Sequence, residues 1–302
     1  MKQAWLQQKE RGSVTGLVIA SWLARILGRR FCRAILHPVC LYFVLFAPAA
    51  RRASVSYLDR ALTLAVGRRA RWRHVYRHLY CFASTILDRF YFLVGAMRYF
   101  EINKYGLDVL RDTLDRHGAC VFLGAHVGSF ELLRVGGARN WSLTLNVLMY
   151  EDNAQKMQSV LTRFGQGVTL KILPVGGLDT PMRAKACIDK GESIAILADR
   201  DLGDGRMIEV PFLGGPANFP AGPFLLAAAL KLPVVLALGL YDGGNRYEER
   251  FELFSAELEL PRGQREQKLK EVVGQYAQRL EYYVRRHPYN WFNFYDFWKK
   301  EH

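Results

Sequence analysis

The chain has 302 residues, half of them apolar, which is enough for one large domain or one domain with an appendage and excludes a disordered chain. Its net charge of +14 lies wholly in the first third: up to Arg98 there are seventeen Lys or Arg against Glu10, Asp59 and Asp88, and the remainder balances. That asymmetry points to an anionic membrane surface, a nucleic acid or an acidic protein partner, and no enzyme or fold class follows from it alone.

Residues 1 to about 117 read as four or five helices with breaks near Gly28, Pro38, Pro48, Gly67 and Asn103, and no strand. The apolar stretches LVIASWLARIL and AILHPVCLYFVLFAPAA interleave with RR pairs and RRARWR. Basic residues beside Trp, Tyr, Leu and Phe at helical spacing suit helices lying in a headgroup layer. Nucleic-acid binding is the rival account of the charge, but the chain carries none of the familiar recognition signatures. The best candidate span, Ala34 to Ala50, falls short of about 20 apolar residues and contains His37, Pro38 and Pro48. A single span through residues 31–50 stays open, and interfacial helices are the preferred expectation. No signal-peptide cleavage pattern is present, so the chain is read as not exported.

His74 and His78 stand one helical turn apart in RWRHVYRH. The spacing can hold zinc, yet the glutamate of HExxH is missing and four arginines crowd the site, so the stretch reads as a basic, snorkelling helix face. Arg68, Arg69, Arg71 and Arg73 suit lipid headgroups or the acidic surface of a carrier protein, and the sequence leaves both open. Cys32, Cys40, Cys81, Cys120 and Cys187 form no CxxC pair and fit reduced thiols rather than a zinc or redox framework.

From Gly118 the pattern changes. ACVFLGA is a short apolar strand, SFELLRVGG a helix opened by Ser129, SLTLNVLMY a strand and DNAQKMQSVLTRFG a helix. The strand VTLKILPV, the helix LDTPMRAKACIDKG and the strand SIAILADRD repeat the alternation, and FPAGPFLLAAALK, LPVVLALGL and RYEERFELF continue it. Such alternation implies an α/β fold, a mostly parallel sheet flanked by helices, over residues 118–302, with 1–117 as a basic helical module. A charged helix from about Arg262 to Arg286 precedes the aromatic tail HPYNWFNFYDFW, read as a packing lid, with an interfacial belt as the alternative.

GAHVGSFELL places His126 at the carboxyl end of the first strand of this sheet, where open parallel sheets bind their ligands. Five residues do not bring two side chains to one helical face, so His126 and Glu131 pair only if the histidine is in the loop and the glutamate in the first helical turn. Gly128 and Ser129 supply the joint and the cap. Glu131 would then hold one imidazole nitrogen and leave the other as a base. A histidine satisfied at a strand end is the plain alternative.

GAHVGSFE resembles the His-x4-Glu/Asp signature of the lysophospholipid acyltransferase superfamily, in the branch of the lipid A late acyltransferases. The likeness continues through ILADRDLGDGRMIEVPFLGGPANFPAGPFLLAAALKLPVV and covers about residues 118–240, with a family-like HP…W…F tail. The N-terminal ERGS…LGRR…YF stretch is similar to a subgroup found with aryl-polyene or other unusual lipid pathways. The resemblance implies an enzyme that moves a fatty acyl chain from an acyl-carrier-protein or coenzyme A thioester to a hydroxyl or amine of a lipid acceptor. His126 would be its general base, oriented by Glu131, and no metal or redox cofactor would be needed.

It also implies a place at the cytoplasmic face of a Gram-negative inner membrane, peripheral or with one N-terminal span, with acyl carrier protein and anionic lipid as partners. Substrate contacts are expected from Arg200 and Asp199 in ADRD, from Ser129, and from Asn218 in NFPAGP. The alternative for Arg200 is a local ion pair with Asp199 or Asp201. Alanine stands where glycerophosphate enzymes of the superfamily carry glutamate in that last turn, which weakens a glycerol 3-phosphate site there. Asp199, Asp201 and Asp204 miss the spacing of a calcium loop. The non-enzymatic alternative is an acyltransferase-like protein that binds lipid without turnover.

Overall fold

The computed structural model describes residues 14–63, 68–133, 143–150, 171–175, 179–200 and 205–298. Three helices come first: α1 (Val14–Phe46), α2 (Pro48–Ala61) and α3 (Arg68–Leu93). α1 is two helical runs joined at Gly28, whose φ of 73° and ψ of 165° are open only to a residue without a Cβ. Pro48 starts α2, where a missing N–H costs nothing. Pro38 does not end a helix as expected. It lies inside α1 on the exposed side, so the carbonyl it leaves without a partner is not sealed into a core. The expected break at Gly67, the ERGS stretch and the helix DNAQKMQSVLTRFG lie outside the described residues.

The two faces of α1 differ sharply. Phe31, Ile35, Val39, Tyr42 and Phe46 form an exposed apolar stripe at helical spacing, while Cys32, Cys40 and Val44 are buried. Arg29 and Arg33 turn inward rather than outward. Arg29 makes a two-pronged pair with the fully buried Asp88 of α3, at 2.7 Å on each oxygen, and Arg33 donates to the Tyr241 hydroxyl at 2.6 Å. These basic residues therefore fasten α1 to the protein. Among the described residues no single helix is long and apolar enough to cross a membrane; Leu27–Phe46 and Pro48–Ala61 pass the length and composition test only together, bent by 93°.

Seven strands form the main sheet: β1 (Glu101–Tyr105), β2 (Val121–Gly124), β3 (Leu145–Tyr150), β4 (Lys171–Val175), β5 (Ser193–Leu197), β8 (Val234–Gly243) and β9 (Arg246–Ser255), in the order β1-β9-β8-β2-β5-β3-β4. Every pairing is parallel except β8 with β9. The mixed α/β class with a mostly parallel, helix-flanked sheet is thus as expected. β1 is a correction, because Asn103 sits in a strand rather than a helix break and the sheet begins before residue 118. A separate hairpin, β6 (Met207–Phe212) with β7 (Gly215–Pro220), turns at Leu213-Gly214 with both φ values positive.

Helices α4 (Leu107–His117), α5 (Thr180–Ile188), α6 (Gly222–Leu230) and α7 (Arg265–Arg286) accompany the strands, and a further helix begins at Phe130. Strand periodicity sorts the core into two layers. Val121 and Leu123 face Leu269, Val273 and Tyr276 of α7, whereas Cys120 and Phe122 face Leu110 of α4. The central strands are covered on both sides, which is why β2 is wholly apolar.

Candidate active site

β2 and β5 are parallel neighbours, and the chain leaves their carboxyl ends carrying His126 and Asp199. The two strand ends are tied by Ala198 N donating to Gly124 O at 3.0 Å, and Tyr276 of α7 donates its hydroxyl to the same oxygen at 2.8 Å. Asp199 Oδ1 then accepts from the His126 backbone N–H at 3.1 Å and meets His126 Nδ1 at 2.8 Å. Asp199 Oδ2 accepts from the Trp291 indole at 2.9 Å, with Arg200 Nη2 at 3.6 Å.

Asp199 is fully buried, and burial alone would push its carboxyl up. The charges of His126 and Arg200 and the donors of His126 and Trp291 outweigh that, and hold it well below the usual carboxylate range. An ionised carboxylate only accepts, so the Nδ1 that faces it carries a proton. The His126 side chain is 34% exposed, which leaves it within reach of a substrate.

Two glycines let the histidine loop lie on β8. Gly128 has a φ of 63°, and a Cβ there would stand 2.0 Å from Gly239 O. A Cβ on Gly239 would stand 2.3 Å from Ser129 O, where the backbone of Ser129 donates to Gly239 O at 2.6 Å. The aromatic tail holds the loop from its other side. Val127 bridges Trp291, Phe292 N donates to His126 O at 2.9 Å, and Gly128 N donates to Asn290 O at 2.8 Å. Asn290 is itself locked to Tyr241 through both backbone groups, at 2.7 and 3.0 Å.

The N-terminal helices reach this clamp through His78. Its Nε2 lies 2.8 Å from Trp291 O and its Nδ1 lies 2.8 Å from the Ser54 hydroxyl. Burial pushes His78 down to about 4, so it is neutral here. Of the stretch expected as a basic, snorkelling face, Arg71, Arg73 and Arg77 are exposed, but the histidines depart from it: His78 is wholly buried, and His74 pairs with the Tyr289 hydroxyl at 2.6 Å. The tail packs as a lid, with Trp291 buried against Tyr57, Phe212 and Phe297.

The other expected site residues fall in three places. Glu131 is in the first turn of the helix that begins at Phe130, and its carboxylate is gripped by Arg89, Nε to Oε2 at 2.7 Å and Nη2 to Oε1 at 3.2 Å. Glu131 was expected to hold one imidazole nitrogen; Asp199 is the carboxylate that meets Nδ1. Arg200 donates to Phe292 O at 3.1 Å and lies over the Tyr295 ring, so it belongs to the same cluster. Its Nε is buried without a partner among the described residues. Ser129 is buried at the start of the helix. Asn218 sits apart on β7 opposite Glu209, and no hydrogen bond joins it to His126. Asp201 and Asp204 lie outside the described residues.

Sequence reasoning did not single out Arg89 or Asn290, and it read Trp291 only as part of the packing lid. Only the run HPYNW, polar groups inside an aromatic stretch, hinted at the last two. Burial raises the thiols, Cys40 to about 11 and Cys120 to about 12, so neither supplies a thiolate nucleophile near neutral pH. The site is a histidine held by one buried carboxylate, Asp199, with a second carboxylate, Glu131, in the helix that follows. A family model for bacterial lipid A biosynthesis acyltransferases matches residues 14–300. Among curated proteins none matches the chain.

Proposed function

The chain belongs to the bacterial lipid A biosynthesis acyltransferases, and from that premise we propose that it moves a fatty acyl chain from an acyl-carrier-protein or coenzyme A thioester to a hydroxyl or amine of a lipid or glycolipid acceptor. His126 Nε2 takes the acceptor proton as the acceptor oxygen or nitrogen attacks the thioester carbonyl. Asp199 stabilises the imidazolium that forms. Collapse of the tetrahedral intermediate breaks the carbon–sulfur bond, and the departing thiolate recovers the proton from His126. General-base help of this kind is worth about 10²–10⁴ in rate.

Glu131, gripped by Arg89, is the second carboxylate and works with Asp199 in orienting the imidazole toward the acceptor. Arg200 meets a phosphate of the donor's pantetheine arm or of the acceptor, a role its unpartnered Nε supports. Ser129 lines the loop beside the base, and Asn218 contacts substrate from the hairpin if the acceptor extends that far. No metal or redox cofactor takes part. The protein works peripherally at the cytoplasmic face of the inner membrane, and the exposed stripe of α1 supports that placement.

The observation that carries this reading is the bond from His126 Nδ1 to buried Asp199, which fixes the imidazole at the carboxyl ends of β2 and β5. Transfer from radiolabelled acyl carrier protein to membrane lipid should fall by about 10²–10⁴ in His126→Ala. An undiminished rate in that variant overturns the proposal. Lipid profiles of a deletion strain and its parent then identify the acceptor.

A further inference from the structure

Away from the catalytic cluster, α2 and α3 enclose a groove of about 320 Å³ lined by Arg51, Arg52, Val55, Arg71, Trp72 and Val75. Its floor is apolar and its rim is cationic. Arg51 closes the end of α1 by donating to Val44 O at 2.8 Å and Leu45 O at 3.2 Å, and its guanidinium lies 5.0 Å over the Trp72 ring. The groove is thus joined to the end of the apolar stripe, where Leu45 and Phe46 are 51% and 65% exposed. Arg71 spends one nitrogen on Asp59 at 3.1 Å and stays half exposed, and Arg52 is exposed. A guanidinium pairs with a phosphate in a planar fork, and an aromatic ring beside it suits the headgroup layer.

We propose that this groove binds the phosphate of an anionic glycerophospholipid, with the lipid's acyl chains running along Leu45 and Phe46 of α1. A free phosphate would gain nothing from the apolar floor of Val55, Val75 and Trp72. An acidic protein surface would gain nothing from the exposed Leu45 and Phe46. A phospholipid matches both halves of the surface at once. The proposal rests on the membrane-surface placement above and adds a defined headgroup site to it.

The test is flotation of the full chain with vesicles of phosphatidylcholine alone or doped with phosphatidylglycerol. Arg52→Gln/Arg71→Gln should weaken binding to the doped vesicles by about thirtyfold, at roughly fivefold per neutralised charge, and leave binding to phosphatidylcholine unchanged. Arg73→Gln/Arg77→Gln, on exposed positions of α3 outside the groove, should lose clearly less. Thioester turnover in detergent should be unaffected by either pair. Equal losses from the two pairs would mean diffuse attraction and overturn the groove. So would displacement by millimolar inorganic phosphate, or capture of acyl carrier protein that the groove variant abolishes. Equal flotation with both vesicle types sinks the groove alone, whereas no flotation with either sinks the membrane placement itself.

Discussion

The floor of the catalytic cluster and the outer face of α1 are built by opposite rules. Around His126 the loop is held by partners from several parts of the chain: Asp199 just after β5, Asn290 and Phe292 from the tail, Gly239 from β8. Along the described part of α1, from Leu27 on, large apolar side chains are exposed on one face, and the other face is fastened to the protein by buried Cys40 and Val44 and by Arg29 and Arg33 at the buried Asp88. The first region fixes atoms to a fraction of an ångström, as proton transfer requires. The second leaves surface open to whatever apolar phase covers it. Mutations should therefore separate the two: changes in the floor strike turnover, and changes on α1 strike location.

The largest effect should come from Asp199→Asn. An amide in place of the carboxylate no longer fixes the proton on Nδ1, and the loss of the favoured tautomer in such pairs costs about 10⁴ in kcat. Steady-state kinetics with a soluble thioester measure this, and a loss below tenfold would show that the buried carboxylate does not govern the base. Gly239→Ala comes next. Its new Cβ meets Ser129 O at 2.3 Å, so the histidine loop has to lift, and a displacement of about 1 Å costs on the order of 10²-fold. Retention of full activity in that variant would show that the loop tolerates movement, removing the contrast with α1.

Trp291→Phe sharpens the contrast further. The ring is kept while the donor to Asp199 Oδ2 is lost, a charge-assisted bond of about 1.5–3 kcal/mol. We expect kcat to drop about tenfold with KM unchanged, since a fully buried indole touches no substrate. A rise in KM with kcat intact would contradict a positioning role. A separate effect, on stability rather than turnover, concerns pH. His78 is held at about 4 against an ordinary 6.5, so between those values the unfolded chain binds a proton that the folded chain does not. Its contribution is complete above 6.5 and is lost as the pH falls toward 4, about 3 kcal/mol in all at 1.36 kcal/mol per unit. Denaturant titrations across that window should show it, and His78→Gln should flatten the slope.

How much was legible in the sequence follows from what each element hides. β2, β5 and β8 are continuous apolar runs closed by glycine or a polar turn, and their strand character and parallel arrangement could be read directly. β1 could not. EINKY has four exposed positions of five because it is an edge strand, and nothing in its pattern alternates. The β6–β7 hairpin was hidden by Pro211, Pro216 and Pro220, which read as loop, and by a leucine with positive φ at the turn. His126 announced itself through its setting among glycines at a strand end. The identity of its carboxylate did not, because the five-residue spacing to Glu131 is visible along the chain while the approach of Asp199 exists only across the β2–β5 pair. Arg29 and Arg33 show the same blindness in another form, since charge counts cannot say which arginines face inward.

The clamp formed by the tail has a consequence for how activity arises during folding. Asp199 is 73 residues from His126 and 92 from Trp291, so three distant stretches must meet before a base exists. Loops of that length close late, after local helices and hairpins have formed. On the proposed mechanism, a partly folded chain, however much secondary structure it holds, has no assembled base and cannot squander activated acyl groups on water.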